Sequence, residues 1–265
     1  MTTMNQNNTQ SILFVVLGET THELEMARAI LNDTEICATI YLEKGEDTLE
    51  QSFVTALDEY PDCRMVVITV SGDGIILQDA MVLAKLAKER GLLTVVETPC
   101  CSRTPAEYLA DQSLSIEELL ARTDCVLWAT GEEFYHDVRC FQQYLTSVLD
   151  GNDFIYLDFD DVGTILKDSG FAYLGAASIK GVDTAARKAC MAAEKIMPTE
   201  ILKRANGVIM HITGSNDIGL EDVETVAEMI QPHTNPDVVL LFGAGFDSYL
   251  NQEIQISVLA AGISN

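Results

Sequence analysis

The sequence predicts an α/β protein whose core is a parallel β-sheet. Short apolar runs recur along the chain, and most are followed by a segment whose apolar residues recur at helical spacing. The first run, residues 11–18, ends in a glycine and is followed by an amphipathic helix at 21–31. Because strand and helix alternate in this way, the strands are expected to lie parallel, with helices on both faces of the sheet.

Further strands and helices continue the pattern through the first half. Predicted strands lie at 36–42, 64–70, 92–97 and 125–129, and predicted helices at 48–60, 76–90 and 115–121. Pro61 ends the helix before it because proline cannot continue a helix, and Gly91 ends the next helix as a favoured C-terminal residue. A long helix at 134–150 is expected to connect this half to the second.

The second half is predicted to be a smaller α/β domain. Its helices are expected at 159–168, 183–197 and 219–230, and its strands at 208–213, 238–242 and 253–260. Residues 1–10 are polar and rich in Asn and Thr, which predicts a disordered tail. The predicted organisation is the tail at 1–10, a sheet domain at 11–133, the connecting helix at 134–150 and a C-terminal domain at 151–265.

The charge balance argues against several classes of function. The chain has 16 basic and 41 acidic residues, which gives a formal net charge of −25. A surface this negative repels phosphate backbones and anionic lipids, so neither nucleic-acid binding nor direct membrane binding is expected. No apolar run reaches the roughly 18 residues of a membrane-spanning helix. No signal peptide is predicted either, and a cytoplasmic location is expected.

The seven cysteines do not form a metal-binding pattern. They lack paired C-x-x-C spacings, so no metal site is expected. Most are expected to be reduced structural thiols, as in other cytoplasmic proteins. The adjacent Cys100 and Cys101 are the redox candidate.

Two aspartates open the helix predicted at 159–168. Asp158 and Asp161 stand three positions apart, with Asp160 between them. One interpretation is helix capping, since aspartate at a helix start accepts hydrogen bonds from free N–H groups and suits the helix dipole.

Two glycine-containing turns follow predicted strands where a doubly wound sheet would bind phosphate. Gly18 is the one glycine of its turn, and an ordinary strand-to-helix turn is the alternative interpretation there. Gly72 and Gly74 follow the strand at 64–70, with Asp73 between them. A phosphate-binding loop needs several residues without Cβ so that backbone N–H groups can approach the anion, and an acidic residue there is unfavourable.

Motifs of the second half resemble the bacterial tubulin FtsZ family in their order and spacing. They are GFAYLG from Gly170, GVIMHITG from Gly207, DIGL from Asp217 and LFGA from Leu241. The segment YLDFDD resembles the family pattern Asn-x-Asp-Phe-x-Asp, with Tyr156 in place of the asparagine. The resemblance implies a tubulin/FtsZ-like fold, with a shortened Rossmann-like domain and a smaller α/β C-terminal domain joined by a long helix.

The resemblance also implies roles for the two aspartates and the glycine turns. Asp158 and Asp161 match the synergy-loop acids, which complete the GTPase site of a neighbouring subunit, so they are the candidate catalytic residues against a partner's nucleotide. Gly18 lies at the first of the family's nucleotide-binding loops, which makes it a candidate cofactor-binding residue.

The second nucleotide-binding loop carries GGGTGTG in the family. Gly72 and Gly74 match its first and third glycines, Asp73 replaces the middle one, and residues 75–78 replace Thr-Gly-Thr-Gly. Gly72, Asp73 and Gly74 are the remaining candidate cofactor-binding residues. The phosphate loop around them has lost its hydroxyls and most of its glycines.

The phosphate loops are degraded, whereas the two synergy-loop acids are retained. Together these features predict an FtsZ-like cytoskeletal or cell-division protein that is not an autonomous GTPase. It is expected to hold no cofactor of its own and to dock through Asp158 and Asp161 onto FtsZ or onto itself in filaments. One alternative is a divergent polymerising GTPase that binds GTP or GDP with Mg²⁺ and hydrolyses GTP across a subunit interface. Another alternative is a scaffold that self-assembles without nucleotide.

Overall fold

The chain folds as two compact units, Met1–Gln142 and Gln143–Asn265. The computed structural model describes residues 10–18, 20–31, 33–43, 49–70, 76–99, 116–129, 134–149, 153–181, 184–196, 199–215, 218–247, 250 and 252–263. The tail predicted at 1–10 therefore lies outside the described residues except for Gln10. No helix within the described ranges is long and apolar enough to cross a bilayer.

The first unit contains the predicted parallel sheet. Its strands are β1 (Ile12–Gly18), β2 (Cys37–Glu43), β3 (Met65–Val70), β4 (Leu93–Pro99) and β5 (Cys125–Ala129). They lie in the order β2-β1-β3-β4-β5, and all neighbouring pairs are parallel. Every residue of β1 and β3 is buried, as expected for strands covered on both faces.

Five helices of the described chain begin in this unit. They are α1 (Thr21–Ile30), α2 (Leu49–Glu59), α3 (Ile76–Glu89), α4 (Ile116–Arg122) and α5 (Phe134–Leu149). The boundary between the two units falls inside α5, which is the helix predicted to be the connector. Its first part packs in the first unit, where the ring of Phe141 meets that of Phe14 edge-on at 6.2 Å between centroids. Gln142 also donates from Nε2 to Thr39 Oγ1 at 3.2 Å.

An ion pair between a half-buried lysine and a buried aspartate joins α3 to the start of β5. Lys88 Nζ lies 3.1 Å from Asp124 Oδ1 and donates to the carbonyl of Thr123 at 3.2 Å. Asp124 Oδ2 accepts a hydrogen bond from the backbone N–H of Thr94 at 2.8 Å. Asp124 is 4% exposed, and both of its carboxylate oxygens have protein partners. A buried charge needs such partners to be tolerated.

The second unit is built on a mixed sheet. Its elements are α6 (Phe159–Leu166), β6 (Gly170–Lys180), α7 (Ala185–Ile196), α8 (Thr199–Leu202), β7 (Gly207–Gly214), α9 (Leu220–Ile230), a 3₁₀ turn (Gln231–His233), β8 (Val239–Phe246) and β9 (Glu253–Ala261). The strand order is β6-β9-β7-β8. β9 runs antiparallel to both of its neighbours, whereas β7 and β8 are parallel.

The two faces of this sheet are covered differently. Alternate residues of β7, including Val208 and Met210, point into a core that they share with α7 and α9. Gly207 and His211 belong to the other face, where Ile165 of α6 packs against Gly207. The helix that carries the two candidate aspartates therefore lies on the opposite face from α9.

One strand and one short helix of the described chain are not predicted by the sequence pattern. β6 was not predicted, because its side chains alternate poorly and include small residues, so its burial does not follow a period of two. The turn α8 was also missed, because its four residues are too few for a helical period to show. The other described elements begin within about two residues of their predicted starts, within the usual boundary error of pattern analysis.

Candidate functional site

The first candidate site lies at the carboxyl ends of β1 and β3. The chain runs from β1 to one side of the sheet and then returns past it to β3, which makes this pair of strands the switch point where α/β sheets bind ligands. Leu17 and Val70 are paired across the two strands, and they directly precede Gly18 and residue 71 in the sequence. The structure thus brings together the strands that lead into both predicted loops. Gly72, Asp73 and Gly74 themselves lie outside the described residues.

The N-terminus of α1 is closed by its own side chains. Thr20 is the N-cap, and its hydroxyl accepts from the backbone N–H of Glu23 at 3.3 Å. The carboxylate of Glu23 accepts in return from the N–H of Thr20, also at 3.3 Å. This capping box uses N–H groups that a phosphate would need at a helix start.

Carboxylates also lie on β2 and β4 of this sheet. Glu43 lies directly opposite Gly18 on β2 and accepts from the hydroxyl of Thr21 at 3.3 Å. On the other side of the switch point, Glu97 is 1% exposed and accepts from the hydroxyl of Thr69 at 3.3 Å. Glu97 carries no distinguishing sequence signal, because it ends an apolar run and no nearby residue marks it as unusual.

Gly18 has a packing role in this turn. A Cβ at this position would lie 2.6 Å from Cδ2 of Leu24, which is buried where α1 meets the sheet. The missing side chain therefore serves the close approach of α1 to β1. With the capping box and the acidic neighbours, the described side of the turn does not fit a bound triphosphate, whose negative charge needs free N–H donors and cations.

The second candidate site is the start of α6, where the structure brings Asp158 and Asp161 together. Asp158 is the N-cap, and its Oδ1 accepts from the backbone N–H of Asp161 at 2.9 Å. Asp161 Oδ2 accepts from the N–H of Asp158 at 2.9 Å. The capping interpretation is therefore confirmed. Each carboxylate gives one oxygen to the cap, and Asp158 is exposed to solvent, so capping leaves an acidic surface at the helix start.

The segment before this helix is attached to β8. Ile155 and Ala244 exchange two backbone hydrogen bonds of 3.1 Å and 3.0 Å. Leu157 is buried against Gly243, and Asp153 reaches His211 of β7. His211 is a buried residue of the strand predicted at 208–213. Its contact with Asp153 was missed, since 58 positions separate the two residues and no local pattern links them.

Aromatic side chains border the acidic helix start. The rings of Phe154 and Phe246 stack at 4.8 Å between centroids, yet these side chains remain 37% and 49% exposed. Tyr156, which stands where the family pattern has asparagine, is 55% exposed. The segment that leads into α6 therefore carries exposed aromatic side chains.

The remaining candidates are cysteines. Cys37, Cys63, Cys125, Cys140 and Cys190 carry free thiols. Cys100 and Cys101, the predicted redox candidates, lie outside the described residues.

Comparison with known proteins agrees with this architecture. The FtsZ family, C-terminal domain, matches residues 170–264. The cell division protein FtsZ of Mycoplasmopsis pulmonis is 27% identical over 291 residues, covering 99% of this chain and 74% of that protein. The FtsZ of Magnetospirillum gryphiswaldense is 27% identical over 244 residues, covering 84% of this chain but 43% of that longer protein.

Solved structures show the same fold. An empty FtsZ dimer from M. jannaschii superposes with a TM-score of 0.68 at 17% identity, covering 97% of this chain and 89% of that chain. A GTPγS-bound protofilament of CetZ2 from Haloferax volcanii gives a TM-score of 0.68 at 15% identity, covering 97% and 94%. The motifs, the match of residues 170–264 to the FtsZ C-terminal domain and the shared fold make this chain FtsZ-like, with sequence similarity to an FtsZ over 99% of its length.

Proposed function

We propose that this chain is a cytoplasmic FtsZ-like protein of the cell-division cytoskeleton that does not act as an autonomous GTPase. It docks through the start of α6 onto the nucleotide-bearing face of an FtsZ, or onto a second copy of itself, and so joins or modulates filaments. The relatives named as cell division proteins and the solved protofilament of the same fold support this role.

One observation carries the proposal, namely the closed N-terminus of α1. Thr20 and Glu23 satisfy each other's backbone N–H groups, and Glu43 lies beside them. A nucleotide phosphate at this turn would meet carboxylates where it needs N–H donors. Repulsion between the negative charges of phosphate and carboxylate would then weaken binding. The chain is therefore expected to hold no nucleotide by itself.

The start of α6 is suited to docking. Its carboxylates are held by the reciprocal cap, so their positions are set before a partner arrives, which lowers the entropic cost of binding. The neighbouring Phe154, Tyr156 and Phe246 add exposed apolar area, as is typical of interface centres. With a formal net charge of −25, a less acidic partner is favoured over a second copy at low salt.

A polymerising GTPase is the second candidate. The observation that favours it is the retained pair Asp158 and Asp161, because the family resemblance gives these acids a role in hydrolysis across an interface. That function requires the chain to bind nucleotide, which separates the two candidates experimentally.

The first experiment is equilibrium binding of a labelled GTP analogue with Mg²⁺ to the purified chain, with an active FtsZ as positive control. The proposal predicts no binding at millimolar nucleotide. Binding at micromolar affinity would overturn it in favour of the GTPase.

The second experiment measures binding to an FtsZ that carries nucleotide. The double substitution Asp158→Lys and Asp161→Lys is expected to abolish binding. The matched control is Glu224→Lys with Glu228→Lys, which makes the same charge change at exposed positions of α9 on the opposite face. If the α6 variant binds like the control, docking through α6 is wrong.

A further inference from the structure

A buried acid–histidine pair links the segment before α6 to the sheet. Asp153 Oδ2 lies 2.6 Å from Nε2 of His211, and the two side chains are 9% and 2% exposed. The contact joins a carboxyl oxygen, which can accept a hydrogen bond, to a ring nitrogen that can donate one. The other ring nitrogen, Nδ1, is 3.2 Å from Oγ1 of Thr213 on the same strand. Both nitrogens of His211 are therefore engaged.

β8 is shaped around this pair. A Cβ on Gly243 would lie 2.7 Å from Cδ2 of His211 and 3.0 Å from Cδ1 of Leu157. A Cβ on Gly245 would collide with the carboxylate of Asp153. Glycine at these two alternate positions opens a groove along β8, and the side chains of Asp153, His211 and Leu157 fill it.

The same groove receives the backbone of the segment. The hydrogen bonds between Ile155 and Ala244 lie between the contacts of Asp153 and Leu157, so alternate residues from 153 to 157 are attached to the sheet. The next residue is Asp158, the N-cap of α6. No flexible linker separates the buried pair from the acidic surface, so a change at Asp153 acts on Asp158 through five residues of attached chain.

We propose that Asp153 and His211 are positioning residues that hold segment 153–157 in the groove of β8 and thereby set the geometry of the docking surface at Asp158 and Asp161. This inference rests on the proposed function for its consequence in binding, whereas its structural part concerns the isolated chain. A histidine that merely filled the core would support global stability, and its loss would not act selectively on this segment.

The test compares His211→Leu with His211→Gln. Glutamine keeps an N–H donor near the position of Nε2, whereas leucine leaves the carboxylate of Asp153 buried without a partner. Hydrogen exchange of the isolated chain is followed at the amides of Ile155, Ala244 and Asp161, with the amides of β9 as an internal reference. Val226→Ala is the matched control, because it weakens the core on the opposite face without touching the pair.

His211→Leu is expected to speed exchange at the three amides by about tenfold or more relative to β9. The reason is that local opening of segment 153–157 then requires less free energy than global unfolding. His211→Gln is expected to stay near the wild type, and Val226→Ala to leave the ratio unchanged. Should His211→Leu not fold, Asp153→Ala breaks the same contact from the segment side. Unchanged relative exchange in the variant used, or equal effects of glutamine and leucine, would overturn the proposal.

Partner binding then separates the structural role of the pair from its role in docking. If relative exchange rises and affinity for a nucleotide-bearing FtsZ falls about tenfold, the positioning role extends to docking. If exchange rises while Asp158→Lys with Asp161→Lys still binds normally, the docking function fails and the structural role of the pair stands.

Discussion

Asp158 and Asp161 cap each other, since the carboxylate of each accepts the backbone N–H of the other at 2.9 Å. The pair is therefore a structural element of α6 as well as the candidate docking site. A variant that removes these acids changes two properties at once, namely the stability of the helix start and the charge that faces a partner.

The two roles of Asp158 are separable by substitution. Asp158→Ala is expected to lower the free energy of unfolding by about 1 kcal/mol, because the N–H of Asp161 loses its acceptor. Asp158→Ser keeps a capping oxygen without the charge, so its stability should stay within a few tenths of a kcal/mol of the wild type. Urea unfolding measures both. Equal losses for serine and alanine would show that the capping oxygen of residue 158 is not what stabilises the helix start.

Gly18 is expected to tolerate no side chain because of packing. Gly18→Ala should cost about 1–3 kcal/mol, since the added Cβ falls 2.6 Å from Cδ2 of Leu24. Shortening that side chain with Leu24→Ala should make the glycine substitution much cheaper. A double-mutant cycle of urea unfolding energies measures the coupling. Additive losses would contradict this account of the glycine.

The buried carboxylate of Asp124 is expected to matter far more than an exposed one. Asp124→Ala should cost about 3 kcal/mol, because Lys88 and the N–H of Thr94 lose a shared acceptor in a buried site. The matched control is Asp58→Ala, which breaks the exposed pair with Arg90 and should cost less than about 1 kcal/mol. Thermal or urea unfolding compares the two, and equal costs would contradict the prediction.

The free energy of unfolding is expected to fall at high pH because of the thiol of Cys63. Burial raises the pKa of its thiol from 9.0 to about 11, and the thiol donates to the carbonyl of Met65 at 3.2 Å. Between these two values the unfolded chain has lost a proton that the folded chain keeps, so the unfolding free energy falls as pH rises. The contribution is fully present below pH 9 and is lost by about pH 11.

The measurement compares wild type with Cys63→Ser by urea unfolding from pH 8 to 11. Serine does not ionise in this range, so the wild type should lose about 2 kcal/mol more than the variant. Tyrosines that also ionise at high pH are common to both proteins and cancel in the difference. Parallel curves would show that the thiol of Cys63 is not protected by the fold.

Much of the fold could be predicted because its signals are local. The parallel sheet of the first unit follows from buried apolar runs such as β1 and β3 that alternate with amphipathic helices. β6 could not be predicted, because it is defined by its antiparallel pairing with β9, about eighty positions further along the chain. The candidate site divides in the same way. Asp158 and Asp161 could be found from their three-residue spacing, whereas Asp153 and His211, which hold the segment before them, could not.

The sequence by itself determined what a few neighbouring residues can settle. Asp158 and Asp161 form a cap because three residues is the distance between an N-cap side chain and the N–H it binds. Only the tertiary structure decided which distant groups meet. Asp153 pairs with His211 because β7 lies beside β8 and the segment before α6 packs on this pair of strands. Gly243 and Gly245 leave the space that these side chains fill. Such contacts depend on the packing of whole elements, which no local spacing records.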